Sequence, residues 1–567
     1  MCRTRYGAAT VRSCEIFSTF AGKKTFCYGK VLVHNNVMEP TQATLLEIPE
    51  QPEPAPRGEA GAGKPAAKPA KLKPIDRSQG LLRPVIVEEL VGPDHKVRAI
   101  WDLTGQLDLS GFMQGIRSRE GQAGSPAWDP RLLLSIWLYS YSEQVSAARE
   151  IARMMEYEPG LMWLSGLGEV NYHTLSDFRV AHEKELKRLL AELLGVLSKE
   201  GLVKLELVAH DGTKIRAQAG ADTFRREKTL AQETAKAQHM MEALEQEARQ
   251  EGEGKTRREA ARERAARERM ERMKQAAKEL RQMQASKASE AEKAQVRVSL
   301  SEPEARNMKH GDGGIAPSYN VQLSTDVEQK VIVGVAVTQS SSDSGWLVPA
   351  MEEVRERMGR YPEAAVADGG FTNQTSIAEM QARGVEFYGS LSTVEARQAG
   401  AMKAAGIDPA FGPAAFTHDA EKRTLRCPAG KDLVYLRQST KRREIYQQYQ
   451  APAGACDGCA DQRRCCPPRV TARLISIRLS ENAEVAAFRA KMETPEAKRI
   501  YRQRGPTAEF PNAWIKEKLG LRKFRLRGLA KASIEALWGV VTYDVMQWIR
   551  LSWRPNLAEI EYFTAEV

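Results

Sequence analysis

Three acidic residues stand where carboxylates could hold a divalent cation: Asp211, Asp368 and Glu509. Carboxylate oxygens are ligands that Mg²⁺ and Mn²⁺ prefer. Two such ions, about 3.5 to 4 Å apart, can activate an attacking oxygen and stabilise a leaving oxygen during phosphoryl transfer. The three residues therefore predict metal-dependent phosphodiester chemistry, provided that the fold brings them together.

The segment before Asp211 has the alternation of a strand buried on one face. Its apolar residues stand at positions 203, 205, 207 and 209, two residues apart. Gly212 follows Asp211 directly, and we expect it to turn the chain there. Asp211 is thus predicted to end a strand at the edge of a sheet.

Asp368 has a similar setting. It follows the short apolar run 364–367 and precedes Gly369 and Gly370, which permit a sharp turn. A helix is predicted over 372–383, beyond this turn. Asp368 is therefore predicted at the tip of a second strand.

The segments 319–325 and 331–338 lie between the two aspartates and are rich in β-forming residues. They predict a β-hairpin. Asp343 follows in a polar loop and is the main competitor of Asp368 for the second carboxylate position. We expect Asp343 instead to cap the helix after it.

Glu509 has a helical setting. Gly505 and Pro506 interrupt the preceding helix, and proline is favoured at the first position of a new one. Glu509 is thus predicted to project from a first helical turn, where an acid can also simply complement the helix dipole. Lys516 lies about two turns further along and can share its face.

Four segments carry a resemblance to a known family: HDGTKIRA (210–217), SYNVQLSTD (318–326), VADGGF (366–371) and Tyr501-x2-Arg504-x4-Glu509-x6-Lys516. With them, the chain from about residue 80 onward resembles bacterial insertion-sequence transposases of the DDE class. The resemblance implies an RNase H-like catalytic fold with Asp211, Asp368 and Glu509 as the metal-binding triad. It also implies strand cleavage and strand transfer at the ends of the element, with Mg²⁺ or Mn²⁺ as the cofactor.

Basic residues around Glu509 could orient the scissile strand, since phosphate contacts supply affinity and orientation. We expect Arg504 and Lys516 to position phosphates, with Arg522 and Lys523 beside them. Tyr501 could stack near the DNA flank or pack its own helix. The alternative for the whole cluster is an exposed basic helix.

Two rival functions remain open from the sequence. One is a catalytically inactive, transposase-derived DNA-binding protein that uses its helical parts for assembly. The other is an RNase H-like nuclease that cuts DNA without strand transfer. The presence of the triad argues against the first.

The composition indicates a polyanionic partner. The 567 residues include 84 Lys and Arg against 73 Asp and Glu, which leaves a net charge of +11. We expect DNA as the partner, as terminal inverted repeats and target DNA, with a homo-oligomer formed on it. The apolar stretch 537–549 contains Asp544 and is shorter than the roughly 20 residues that span a bilayer. Without a membrane span or a secretory signal, the predicted location is cytoplasmic.

Shifts in composition predict the order of domains. We expect a disordered tail and Pro/Ala/Lys linker over 1–78, within which Met38 is a candidate for the true start. A helical DNA-binding domain follows over 79–200, where PRLLLSIWLYSY (130–141) resembles the N-terminal domain of the same transposases. The catalytic domain, with an α/β (α+β) fold, is predicted over 201–567.

Two insertions are predicted inside the catalytic domain. Residues 222–296 have short heptad seams and predict a helical hairpin. It could be an interaction arm, a DNA clamp or a solvated helix pair, and the sequence assigns it no role. Residues 390–495 form a cysteine-rich insertion.

The cysteines of that insertion have the spacing of a possible zinc site. Cys456 and Cys459 form a Cys-x2-Cys pair, and Cys427 and Cys465 could complete a tetrahedral structural Zn²⁺ site. Cys465 and the adjacent Cys466 cannot both be ordinary ligands of one four-coordinate ion. The alternative is a set of reduced thiols, as is usual in a cytoplasmic protein.

Overall fold

The computed structural model describes residues 84–555, apart from 117, 119–124, 251–255, 392–399, 401, 420, 442–443 and 481. The tail predicted over 1–78 lies outside the described residues. The described chain mixes helices and sheets, as the sequence predicted.

The first part of the described chain is helical. Its helices are α1 (Lys96–Gln106), α2 (Ser110–Met113), α3 (Pro130–Ser142), α4 (Ala148–Met154), α5 (Pro159–Ser165), α6 (Tyr172–Ala181) and α7 (Glu183–Lys199). Asp129 caps α3 by accepting the Arg131 N–H, and Pro130 occupies the first turn. Almost every residue of α3 is buried, as expected of a helix that is apolar around most of its circumference.

A six-stranded sheet carries the two predicted aspartates. Its first strand is β1 (Leu207–Arg216), and a two-stranded ladder of β2 (Phe224–Arg225) and β3 (Val298–Ser299) follows outside this sheet. The other strands are β4 (Arg306–Lys309), β5 (Ile315–Asp326), β6 (Ile332–Thr338), β7 (Ala364–Ala367) and β8 (Glu386–Gly389).

The order of this sheet is β4-β5-β1-β7-β8, and β6 also pairs with β5. β4, β5, β6 and β1 pair antiparallel, whereas β7 runs parallel to β1 and β8 runs parallel to β7. The predicted hairpin between the aspartates is confirmed as β5 and β6. The sheet therefore joins an antiparallel half to a parallel half at β1.

The other α-helices lie between the strands of this sheet or after them in the chain. They are α8 (Glu227–Gln250), α9 (Arg257–Ala285), α10 (Glu290–Gln295), α11 (Leu347–Met358), α12 (Gln374–Ala382), α13 (Gln462–Cys465), α14 (Ala483–Glu493), α15 (Pro495–Arg502), α16 (Arg504–Glu517) and α17 (Leu529–Leu551). A second, antiparallel sheet comprises β9 (Thr417–Asp419), β10 (Thr424–Arg426), β11 (Asp432–Lys441), β12 (Glu444–Gln450) and β13 (Leu474–Ser480).

The long helix α17 joins the helical part to the first sheet. The Trp538 indole donates a hydrogen bond to the Arg179 carbonyl at 3.1 Å, and its ring stacks with Tyr141. On the sheet side, the buried Asp544 carboxylate accepts the Ile332 N–H at 2.9 Å. The stretch 537–549 is thus part of a buried helix, as predicted. No helix in the described part of the chain has the length and apolar character needed to cross a membrane.

Glu302 links three parts of this fold through one buried carboxylate. It accepts hydrogen bonds from the Ala219 N–H at 2.9 Å, the Tyr319 hydroxyl at 3.0 Å and the Gly528 N–H at 3.1 Å. Its side chain is almost fully buried. The carboxylate therefore holds the chain beyond β1, strand β5 and the start of α17 together.

We expect Glu302→Ala to lower the free energy of unfolding by about 3 kcal/mol, because it leaves buried donors without an acceptor. The control is Glu328→Ala, since Glu328 is exposed and pairs with Lys204 at 3.3 Å. That surface pair should contribute less than about 1 kcal/mol. Urea denaturation of both variants measures the difference, and equal losses would contradict the role given to Glu302.

Candidate functional site

The parallel pairing of β1 and β7 brings Asp211 and Asp368 together. Its register runs from Leu207 opposite Ala364 to His210 opposite Ala367. Asp211 and Asp368 are the next residues of the two segments, so they follow the last pair side by side. The negative charge of Asp368 is also close enough to contribute to raising the pKa of Asp211.

Asp211 does not end its strand, and this prediction was wrong. β1 continues to Arg216, with Asp211 opposite Leu323 and Gly212 opposite Gln322. The reason is that β5 pairs with β1 well beyond the point where the pairing with β7 stops. Asp368 does follow the end of β7, as predicted, and the helix predicted after it is α12.

Helix α16 packs against this pair of aspartates. Ala508 is buried in a small cluster with Ala209 of β1 and Val366 of β7. From the same helix, the Asn512 side-chain amide donates to Asp211 Oδ2 at 3.1 Å, and Arg504 Nη1 lies 4.0 Å from Asp211 Oδ1. Asn512 was not among the site residues predicted from the sequence.

Burial raises the pKa of Asp211 to about 6. The Gly212 N–H and the Arg504 guanidinium act in the opposite direction, while the charges of Asp368 and Asp343 add to the increase. Asp211 is therefore a carboxylate whose charge is poorly solvated and strongly dependent on its neighbours. A bound cation would relieve that cost.

Glu509 lies on α16 but is exposed. The helix begins at Arg504 rather than at Pro506, so Glu509 stands in its second turn. The predicted position in a first helical turn was therefore wrong. Its carboxylate leans back over Gly505, 3.9 Å from where a Cβ of that residue would stand. Asn512, three residues further on, is its neighbour on the helix surface.

The described residues contain no group of three or more His, Cys, Asp or Glu side chains arranged to hold a metal ion. The structure thus brings Asp211 and Asp368 together, and Glu509 is not part of a closed three-carboxylate cluster with them.

The Asp343 carboxylate accepts hydrogen bonds from three side chains of β1 and β5, on the face of the sheet opposite to Asp211. The donors are Lys214 Nζ at 3.0 Å, Asn320 Nδ2 at 2.7 Å and Gln322 Nε2 at 3.0 Å. Burial raises its pKa, but these donors outweigh burial and the pKa lies below its usual value. The predicted helix cap is wrong, because α11 starts after Trp346 without a side-chain cap and the three donors engage the carboxylate.

His210 supports this network from within the sheet. It is fully buried, with Nδ1 3.0 Å from Ser324 Oγ and Nε2 3.0 Å from Gln322 Oε1. Burial lowers its pKa to about 4, so the ring is neutral near pH 7. His210 therefore orients the Gln322 amide, which in turn donates to Asp343.

Two of the predicted DNA-contacting residues, Arg522 and Lys523, lie at the C-terminal end of β1. The loop after α16 pairs with Arg216, since the Arg216 N–H donates to the Arg522 carbonyl at 3.2 Å and the Phe524 N–H donates to the Arg216 carbonyl at 2.9 Å. Lys523 lies between these contacts, and the Arg522 side chain pairs with Glu517.

Lys516 and Tyr501 are less exposed than those residues. Burial lowers the pKa of Lys516, and its charge lies close to Asp211. Tyr501 packs against the cluster of Ala209, Val366 and Ala508. Of the two roles considered for Tyr501, its position in the structure is that of a packing residue.

The five cysteines of the cysteine-rich insertion lie together beside the second sheet. Cys427, Cys456 and Cys465 pack on its apolar core, and a small cavity there is also lined by Cys459 and Cys466. Burial raises the pKa of Cys465, so it favours the neutral thiol. Because no metal-binding group of three or more donors occurs in the described chain, the predicted Zn²⁺ site is not supported.

Two family models match the chain. Residues 426–548 match a model described as a transposase DDE domain, and residues 85–181 match one described as a transposase domain (DUF772). The first match includes Glu509 and all of α16, but neither Asp211 nor Asp368. Comparisons with curated proteins and with solved structures found no match.

The first prediction from this site concerns Gly212. A Cβ there would stand 2.4 Å from Asp343 Oδ1 and 2.7 Å from Gln322 Nε2. We expect Gly212→Ala to displace the Asp343 carboxylate and to cost about 1 to 3 kcal/mol of stability. Gly195→Ala is the control, because Gly195 is exposed inside α7 with open space around its Cβ position.

Alanine at position 195 should stabilise the helix by about 0.5 to 1 kcal/mol. The two glycine variants are therefore expected to shift the urea midpoint in opposite directions. A Gly212→Ala protein as stable as the wild type would show that Asp343 is not held against β1.

The second prediction concerns the titration of Asp211 in metal-free protein. Arg504→Gln removes a nearby positive charge and should raise the pKa of Asp211 above its value of about 6. The carboxyl would then be protonated over a wider range of neutral pH. Infrared difference titrations, with Asp211→Asn subtracted in each background, measure this shift. An unchanged or lowered pKa would contradict the electrostatic role of Arg504.

Proposed function

Because the chain carries two domains of insertion-sequence transposases of the DDE class, we propose that it cleaves DNA at the ends of an insertion sequence and joins those ends to a target. The observation that carries this proposal is the side-by-side position of Asp211 and Asp368 at the end of the β1–β7 pairing. Helix α16, which lies within the matched DDE domain, packs against the same pair.

The topology supports an RNase H-like core as part of this proposal. Antiparallel strands β6, β5 and β1 are followed by β7 and β8 in parallel. The aspartates come from β1 and from the end of β7, where a substrate can approach the edge of the sheet. We take the catalytic domain as 201–567, with the hairpin 222–296 and the cysteine-rich segment 390–495 as its insertions.

Asp211 and Asp368 suit a hard divalent cation by their chemistry, because they are adjacent carboxylates and one of them is poorly solvated. We propose Glu509 as the third ligand, carried by the helix whose residue Asn512 already contacts Asp211. Mg²⁺ or Mn²⁺ bound there would activate the attacking oxygen, first of water and then of a DNA 3′-hydroxyl, and would stabilise the leaving oxygen.

The neighbouring side chains have distinct parts in this proposal. Asn512 orients the Asp211 carboxylate, and Arg504 favours its charged form. Lys516, Arg522 and Lys523 lie where they could contact the phosphates of the scissile strand and orient it. The helical domain 79–200 would bind the terminal inverted repeats, with a homo-oligomer assembled on the DNA.

We expect Asp211→Asn and Asp368→Asn each to reduce strand cleavage by at least about 100-fold while leaving binding to the element's ends largely intact. Each substitution removes the charge of a metal ligand but keeps its size. Glu509→Gln changes the proposed third ligand and should have the same effect. The Asp343→Asn variant should cleave better than any of the three.

The assay uses purified protein, Mg²⁺ and labelled DNA that carries the element's ends. Joined products support a transposase, whereas cuts without joining indicate an RNase H-like nuclease. Gel shifts without any cutting indicate a catalytically inactive DNA-binding protein. Full cleavage by Asp368→Asn with loss in Asp343→Asn would move the second ligand to Asp343.

A further inference from the structure

We propose that the hairpin of α8 and α9 is a clamp for duplex DNA, and that the outward face of α9 contacts the phosphate backbone. This inference rests on the proposed function, because it takes DNA as the partner. It adds a binding surface outside the site of Asp211 and Asp368.

The two helices of the hairpin differ in charge. Helix α9 has ten Lys and Arg residues against five Asp and Glu residues, whereas α8 has three against five. A hairpin that only needs to be solvated has no requirement for such an asymmetry, because mixed charges on both helices would serve. The excess of positive charge on one helix indicates that this helix faces a polyanion.

The basic residues of α9 form a stripe on its outward face. At 100° per residue, six of them fall within an arc of about 120°. All six are exposed, namely Arg257, Arg264, Arg267, Lys274, Lys278 and Arg281. The opposite side of the helix buries Ala266, Met273, Ala276 and Leu280. The cations are therefore directed away from the protein core.

The length of this stripe matches a turn of DNA. Arg257 and Arg281 are 24 residues apart, which corresponds to about 36 Å along a helix with a rise of 1.5 Å per residue. One turn of B-form DNA spans about 34 to 36 Å. A duplex lying along α9 could therefore place phosphates near both ends of the stripe.

The positive charges on this face are available to a ligand. Lys274 pairs with Glu271 at 2.8 Å and Arg267 pairs with Glu263, but both are exposed pairs within one helix, which contribute little and exchange easily. Within the described chain, no ion pair is formed by Arg257, Arg264, Lys278 or Arg281. Phosphate contacts would thus replace few existing interactions.

The base of the hairpin is fixed to the sheet that carries Asp211. Glu279 of α9 is buried and pairs with Arg306 of β4, and its carboxylate also accepts hydrogen bonds from Gln275 at 3.0 Å and Gln339 at 3.3 Å. Between the helices, Arg269 pairs with Glu233 at 2.9 Å. The stripe therefore has a defined position relative to the aspartates.

Salt-dependent binding of a random-sequence duplex tests the clamp with the full-length protein. Each phosphate contact adds about 0.9 to the slope of log affinity against log salt. We expect Lys278→Gln/Arg281→Gln to lower the slope by about 1 to 2 and to weaken binding several-fold at low salt. Adding Arg257→Gln and Arg264→Gln should about double the decrease in the slope and should weaken binding further.

The matched control is Lys228→Gln/Lys236→Gln on α8, which removes the same charge from the same hairpin but away from the stripe. It should leave the slope unchanged. Glu268→Gln/Glu271→Gln removes negative charge near the stripe and should strengthen binding. Thermal unfolding of each variant verifies that the fold is intact.

Wild-type slopes in the α9 variants, or equal losses in the α8 control, would overturn the clamp. Either result would leave the proposed function untouched if the wild type still cleaves and joins element ends. If the wild-type protein binds no duplex at all, DNA is not its partner and both proposals fail.

Discussion

The contact of α16 with the sheet depends on small side chains at one point. Ala508 meets Ala209 and Val366 in a fully buried cluster, at the strands that lead into Asp211 and Asp368. With two alanines in the contact, the helix can approach the sheet closely enough for Asn512 to reach Asp211. A larger residue at either alanine would push the helix outward, since a close-packed interior does not absorb extra volume without displacement. The geometry of the candidate site thus follows from packing next to it.

Electrostatics constrain the same region, because three aspartates gather around one strand. Asp343 is held on one face of the sheet, and Lys214, Asn320 and Gln322 satisfy it there. Asp211 is contacted on the other face by Asn512 and lies near Arg504, and it has a raised pKa. The difference is chemically meaningful, because a carboxylate that already has its donors gains little from a cation, whereas one that lacks them gains more.

Local sequence patterns predicted the elements of this fold better than their ends. Alternation and turn residues were sufficient for the β5–β6 hairpin, for β7 and for α12, since these depend on neighbouring residues. The end of β1 was misplaced because its continuation depends on pairing with β5, more than 100 residues away. The partners of Asp343 could not be predicted for the same reason, as Lys214 is 129 residues distant. Asn512 could have been found, because positions 504, 508, 512 and 516 recur every four residues on one helical face.

The two ends of the α8–α9 excursion meet in the short ladder of β2 and β3, where Phe224 lies opposite Ser299 and Arg225 lies opposite Val298. Paired residues in such a ladder are only about 5 Å apart, so the excursion leaves and re-enters the domain almost at one place. Whole helical turns could be added at its far end, or removed from it, without altering the register of β1. The length of the hairpin is therefore mechanically independent of the geometry around Asp211.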